Sequence, residues 1–313
     1  MLIIVGGNGF IGRHLRNLLL AKGEDSVIIS REPARARQWS APGEMFVSAS
    51  DFNGELGCEL IGKARALIYL ATTSTPATFA DNPWKEVTQN VEPAAELFLK
   101  FATKNPKTKR ILISSGGTIY GNSPKNLIDE DQEAAPISAY GLGKLMIEQA
   151  LEFAGRTYGV NYNILRISNA IGRHHQSTAQ GVVPAAIRCL QAGNPFNLIG
   201  DGSIVRDFVD ADDVAEAIWS ACNDQHFNDK IWNVGSSKGI SVLEILSLVE
   251  KISGKKLNIS HSPRRNLDVT RIVLNCERIA SDIGWRARRD ISKTIEDLWT
   301  FHLNLEASFT SQS

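Results

Sequence analysis

Cysteine is rare in this chain and carries no pattern. Cys58, Cys189, Cys222 and Cys276 are widely separated, with no C-x-x-C pair and no metal-ligand spacing. That excludes a disulfide framework and a thiolate metal centre from the expectations, and describes reduced, mostly buried thiols of a cytoplasmic protein. Net charge is lacking as well, since 34 Lys and Arg offset 34 Asp and Glu; nucleic acid and an acidic membrane surface are therefore not expected as partners. No apolar run is long enough to cross a bilayer, and the first one, from residue 2, enters a glycine turn at once, unlike a signal peptide. No repeat or low-complexity linker interrupts the chain. What it does have is length and apolar content. At 313 residues and 43% hydrophobic it buries a large core yet exceeds the size at which single cores tend to split, so one large domain with a smaller partner is expected.

Leu2-Ile-Ile-Val5 is a short, fully apolar run of the kind a central parallel strand requires. It leads directly into Gly6-Gly7-Asn8-Gly9-Phe10-Ile11-Gly12 and then a stretch with Ile11, Leu15, Leu18 and Leu19 on one helical face. Strand, glycine turn and helix in that order turn a weak glycine pattern into a dinucleotide fingerprint. Gly6 allows the tight turn, Gly9 lets the backbone approach a pyrophosphate, and Gly12 allows close helix packing, with Phe10 and Ile11 at the helix N-terminus that faces the phosphates.

Ser26-Val-Ile-Ile-Ser30 is the second strand, and its tip reads Ser30-Arg31, with Arg35 and Arg37 close behind and no Asp. An acid there would bind the ribose 2′-hydroxyl, whereas arginine accommodates a 2′-phosphate; of NAD and NADP, the tip favours NADP. Ala66 to Leu70 is another buried strand, and the run Ala71-Thr-Thr-Ser-Thr75 after it lines the cofactor from the other side. Asn82-Pro83 starts a long helix to about Lys104, and Lys109 to Ile113 is the next strand. This alternation implies a Rossmann-type doubly wound parallel sheet with ligands beyond the carboxyl ends of the strands.

That edge carries Ser114-Ser-Gly-Gly-Thr-Ile-Tyr-Gly121 and, after a polar loop, Tyr140-Gly-Leu-Gly-Lys144. The i, i+4 spacing puts a phenol and an ammonium on one helix face, with Cβ atoms roughly 5–6 Å apart. A fixed cation favours the ionised phenol, so Tyr140 reads as a general acid/base for carbinol–ketone interconversion. A chance pair on a helix has the same spacing; its company decides.

With Gly6, Gly9 and Gly12, the Ser-Ser-Gly-Gly-Thr-Ile-Tyr-Gly block and Tyr140-x-x-x-Lys144 in this order, the chain resembles an extended short-chain dehydrogenase/reductase of the nucleotide-sugar epimerase/dehydratase family, in its UDP-glucose 4-epimerase-like branch. Arg166-Ile-Ser-Asn169-Ala-Ile-Gly172, Gly200 to Val209, Trp232-Asn-Val-Gly235 and Arg265-Asn-Leu-Asp268 continue the match to about Trp299. The resemblance implies Tyr140 as catalytic base and Lys144 as the residue that holds the nicotinamide ribose and lowers the tyrosine pKa. It places Asn169, Arg206 and Arg265 on the nucleotide diphosphate of the substrate, a role guanidinium geometry suits.

Three positions depart from the family pattern. Gly116 stands where the family has its catalytic serine; Thr118, two residues on in what reads as an extended segment, is the expected substitute in preference to Ser115. Ser30 replaces the usual acid. Arg173-His174-His175 replaces a Gly-Pro continuation and reads as a polar active-site loop rather than a metal site, there being no neighbouring Cys or acidic ligands.

The expected division is a cofactor domain of residues 1–172 with return segments at about 208–236, and a smaller interleaved α/β substrate lobe of 173–207 and 237–313. Helices are expected over Gly181–Gly193, Asp210–Ala221, Val242–Ser253, Cys276–Ile283 and Ile291–Leu303, a strand over Lys230–Val234, and a frayed tail from Ser308. The resemblance implies a UDP-hexose or UDP-N-acetylhexosamine 4-epimerase that oxidises C4 transiently, with an NADPH-dependent reductase of a nucleotide-linked 4-keto-6-deoxy sugar as the alternative. Gly116-Gly117-Thr118 lacks the Thr-Asp-Glu that dehydration in the family uses. A dinucleotide-binding sensor is a third reading, which needs neither Tyr140 nor Lys144. A homodimer through helices around Glu92–Lys104 and Leu142–Arg156 is expected of the family.

Overall fold

The computed structural model describes residues 1–31, 40–79, 81–175, 181–226, 228–263 and 269–310. In chain order the first half comprises β1 (Leu2–Val5), α1 (Phe10–Ala21), β2 (Ser26–Ser30), β3 (Glu44–Ser48), α2 (Ala49–Asn53), α3 (Glu55–Lys63), β4 (Ala66–Tyr69), α4 (Trp84–Glu86), a π-helical turn (Val87–Val91), α5 (Glu92–Lys104), β5 (Lys109–Ser115), α6 (Gly116–Ile119), α7 (Ala139–Tyr158) and β6 (Tyr162–Ile167). The second half comprises β7 (Asn169–Ile171), α8 (Val182–Ala192), β8 (Phe196–Ile199), β9 (Val205–Asp210), α9 (Ala211–Asn223), β10 (Lys230–Val234), β11 (Gly239–Ser241), α10 (Val242–Ser253), β12 (Ile259–Ser262), β13 (Arg271–Ile272), α11 (Glu277–Ile283) and α12 (Ile291–Thr310).

Seven strands form one sheet in the order β10-β6-β5-β4-β1-β2-β3, every pairing parallel. Side chains alternate across a strand. Leu2 and Ile4 of β1 therefore go to one face, with Leu15 and Leu19 of α1 and Val214 and Ile218 of α9. Ile3 goes to the other, with Phe98 and Phe101 of α5 and Ile147 and Leu151 of α7. Both faces are covered, and that is why the strands are apolar throughout rather than alternating. From β1 the chain winds outward to β3, then returns through β4 in the opposite direction, so the switch point lies between β1 and β4. In open sheets of this kind the ligand crevice opens there.

A second layer gathers on β9, which pairs with β7, β11 and β13, while β8 and β12 form a separate parallel pair. Its own core joins Val183 and Ile187 of α8, Phe196 and Leu198, Ile245 and Val249 of α10, and Leu298 and Trp299 of α12. Ser241 opens α10 with a full capping box: its hydroxyl accepts from Glu244 N and the Glu244 carboxylate accepts from Ser241 N.

The doubly wound parallel sheet is as expected. β3, α2 and α3 have no counterpart in the sequence reading, and the terminal helix runs to Thr310 where a tail was expected from Ser308. Cys222 and Cys276 are buried and Cys189 partly so, but Cys58 is exposed on α3. Among the described residues no helix is long and apolar enough to cross a membrane.

Candidate active site

The glycine loop meets the 71–75 run at the switch point. Gly6 has φ +85°, and a Cβ there would lie 2.8 Å from Ala71 N and 2.9 Å from Ala71 Cα. Both the backbone conformation and the neighbouring chain demand glycine. A Cβ on Gly12 would lie 2.6 Å from Gly7 Cα, so α1 packs onto the loop at the distance expected for the third glycine. Gly9 precedes α1 with no side-chain cap and is exposed, which leaves the N–H groups at Phe10 and Ile11 facing outward at a helix N-terminus, the geometry a pyrophosphate uses. Loop and chemistry fit a dinucleotide.

At the second-strand tip, Asn8 Nδ2 donates to Ser30 Oγ (3.0 Å). Asn8 Oδ1 accepts from the buried Arg16 (2.9 Å), whose guanidinium is gripped by Glu44 (2.6 and 2.8 Å). The carboxylate of Glu44 is thus committed to Arg16, and Arg31 stands exposed at the end of β2. Arg35 and Arg37 lie outside the described residues.

Tyr140 and Lys144 occupy the first two turns of α7, which Ser138 starts by accepting from Gly141 N (3.1 Å). Lys144 is 4% exposed, and its Nζ sits 5.6 Å from the centroid of the Tyr140 ring. The proton balance differs from expectation. Burial pushes the Tyr140 phenol up to about 12, the Glu86 charge adds to this, and a hydrogen bond with Ser115 opposes it. Burial pulls Lys144 down to about 8 against the charges of Glu86 and Glu148. Desolvation is the largest influence on both groups.

Ser115, the last residue of β5, is the hydroxyl whose hydrogen bond lowers the phenol pKa, where Thr118 was the expected one. The chain turns into α6 at Gly116, so the alternation of an extended segment does not reach Thr118. Thr118 instead lays its carbonyl against α7, 2.6 Å from where a Gly141 Cβ would stand. Its Oγ1 is buried with no hydrogen-bond partner among the described residues. Gly116 has a steric cause: a Cβ there would lie 2.5 Å from Leu274 Cδ1 and 3.1 Å from Arg166 O.

On the substrate side, Asn169 opens β7 and donates from Nδ2 to Asp207 O (3.2 Å). Arg206, on β9, donates to the carbonyls of Val205 (2.9 Å) and Val269 (2.8 Å). Arg265 lies outside the described residues. The His174-His175 pair sits over the start of α1. His175 stacks on Phe10 at 4.4 Å between centroids, and His174 meets His14 edge-on at 5.0 Å. Burial, helped by nearby cations, holds both rings near 4, so at neutral pH they are uncharged walls rather than phosphate-binding cations. Among the described residues no group of three or more His, Cys, Asp or Glu is arranged to hold a metal.

Asn90 and Glu86 were not among the expected site residues. Asn90 Oδ1 accepts from Thr73 N (2.8 Å) and Thr73 Oγ1 (3.1 Å), and its Nδ2 donates to Ser74 Oγ (3.2 Å), which fixes the 71–75 run beside the glycine loop. A polar residue at this point of an apolar helix pattern was the available signal.

Comparison with known proteins places this geometry. The UDP-glucose 4-epimerase of Lacticaseibacillus casei is 27% identical over 328 residues, which cover 98% of each chain. The dTDP-4-dehydro-6-deoxyglucose reductase of Escherichia coli is 29% identical over 293 residues, covering 91% of this chain and 92% of that one. The crystal structure of UDP-glucose 4-epimerase from Thermotoga maritima, with UDP-glucose, superposes with a TM-score of 0.89 at 25% identity, covering 97% of this chain and 99% of the other. The family model for NAD dependent epimerases and dehydratases matches residues 2–235, a span that takes in the glycine loop, Ser115, Tyr140, Lys144 and Arg206, and the chain belongs to that family.

Proposed function

We propose that the chain is a nucleotide-sugar 4-epimerase acting on a UDP-hexose or UDP-N-acetylhexosamine. The observation that carries this reading is the Tyr140–Lys144 pair, with the buried Lys144 Nζ 5.6 Å from the centre of the phenol ring, set on the same sheet edge as the glycine loop. Gly6, Gly9, Phe10, Ile11, Gly12, Arg31 and Ala71, with Tyr140 and Lys144, would hold the nicotinamide dinucleotide, which when bound supplies reversible hydride chemistry at C4. Tyr140 handles the proton at O4: once ionised, its phenolate oxygen would take the proton as the carbinol becomes a ketone, and the phenol so formed would return it afterwards. Ser115 holds the phenol and the sugar oxygen in one hydrogen-bond line. Asn169 and Arg206, with Arg265, bind the diphosphate; Arg206 exchanges backbone carbonyls for phosphate oxygens. The adenosine end favours NADP, supported by Ser30 tied to Asn8, Glu44 tied to Arg16, and exposed Arg31.

The reductase of a nucleotide-linked 4-keto-6-deoxy sugar is the second reading. A phenol kept protonated by burial is poised as a proton donor to a ketone, and the E. coli relative bears that name.

Incubation of the protein with UDP-glucose, UDP-galactose and their N-acetyl forms, with NAD or NADP, separates the two. Conversion to the C4 epimer without net cofactor consumption is expected. No conversion, with NADPH oxidised by a nucleotide-linked 4-keto-6-deoxy sugar, overturns the epimerase in favour of the reductase.

A further inference from the structure

Glu86 is the last residue of α4, 2% exposed, with both carboxylate oxygens buried and with the Ser74 hydroxyl and the Asn90 amide as its polar neighbours. A carboxylate taken out of water is costly: burial pushes its pKa up, against the Ser74 hydroxyl, the Lys144 charge and the Asn90 amide, and such groups persist where function requires them. Its surroundings are built to admit it. A Cβ on Gly143 would lie 2.3 Å from Glu86 Cγ and 2.7 Å from Oε1, so the carboxylate is wedged against the turn of α7 that joins Tyr140 to Lys144. An adjoining cavity of about 210 Å³, lined by Trp84, Val87, Leu142 and Met146, gives it an apolar outer wall. The π-helical turn begins at the next residue, a feature that concentrates at functional sites.

We propose that Glu86 is a positioning residue of this site: its carboxylate is the fixed counter-charge around which the Lys144 ammonium and the Tyr140 phenol are set. The charged and polar groups facing it can be taken element by element. From α7 come Lys144 and Tyr140, from the 71–75 run the Ser74 hydroxyl, and from the π-turn Asn90. Glu148, one turn beyond Lys144, also faces the ammonium, but Arg166 engages it at 2.7 and 3.2 Å. Of the two acids that act on Lys144 among the described residues, Glu86 is the one with no arginine engaging it. Its negative charge favours the ammonium on Lys144 and opposes phenolate on Tyr140.

The proposal rests on reading Lys144 as the residue that grips the nicotinamide ribose, and its test keeps the two apart. Fluorescence titration of NADPH, and of NADH in parallel, against wild type, Glu86→Gln and Glu86→Asp from pH 6 to 10 needs no sugar substrate. Affinity should weaken as Lys144 loses its proton. Gln, isosteric but neutral, should move that alkaline limb down by about one pH unit, and Asp, which keeps the charge, should restore most of it. A limb at the wild-type pH in Glu86→Gln overturns the proposal. So does equal weakening at every pH in both variants, the mark of a merely structural role. Lys144→Met tests the underlying reading separately: an alkaline limb that survives this substitution belongs to another group and removes the basis of both.

Discussion

At the scale of single residues, the site depends on which hydroxyl reaches Tyr140. Ser115 ends a strand and keeps its orientation, whereas Thr118 is carried away by the helical turn that starts at Gly116. Ser115→Ala should lower turnover by roughly 10- to 100-fold, at the lower end of what general acid/base partners contribute. Thr118→Ala should change it by only a few-fold. Steady-state kinetics of the two variants decide the matter, and the reverse ranking would restore Thr118. Tyr140 and Lys144 were readable from the sequence, because the chemistry needs those groups at that spacing, whereas the hydroxyl was read as Thr118 rather than Ser115. Their proton affinities were not, since desolvation is set by what covers them and a neighbouring cation counts for less than the loss of water.

At the scale of elements, the parts that follow strong local rules were legible: apolar runs become buried parallel strands, and Ser241 with Glu244 announces a helix. β3, α2 and α3 were not. Glu44-Met45-Phe46-Val47-Ser48 mixes polar and apolar residues because β3 is the edge of the sheet, and the helices after it are short. Pairing with β2, rather than propensity, makes that strand. The junction of β1 with α1 is the most tightly specified element boundary. Gly6→Ala would force φ +85° on an L side chain and drive Cβ into the backbone at Ala71. We expect at least about 1 kcal/mol of destabilisation and a tenfold or greater loss of NAD(P) affinity; thermal melting and fluorescence titration would detect both. Unchanged binding would mean that the loop is not the pyrophosphate cradle.

At the scale of the whole molecule, a buried polar network joins the layers. Arg166 on β6 reaches Glu148 on α7 and the Tyr120 hydroxyl; Tyr120 donates to Asn233 on β10, whose backbone N–H donates to Glu130. Outward, Leu99 on α5 and Leu142 and Phe153 on α7 are exposed, on two helices that pack side by side. We propose that they pair with a second copy in a four-helix arrangement. Leu99→Glu with Phe153→Glu should convert a dimer into a monomer in sedimentation velocity; a wild type already monomeric at micromolar concentration refutes the assignment. The division into a cofactor domain and a sugar lobe is likewise a proposal, supported by the separate core around Phe196, Ile245 and Leu298. The sequence by itself determined the parallel sheet, the glycine cradle and the Tyr140–Lys144 pair, because each rests on neighbours within a few residues. Only the tertiary structure decided that Ser115 meets the phenol, that Leu274 leaves no room for a side chain at position 116, and that Glu86 packs against Gly143, the neighbour of Lys144. These contacts join residues about 25 to 160 positions apart in the chain, and burial and charge act on them through space.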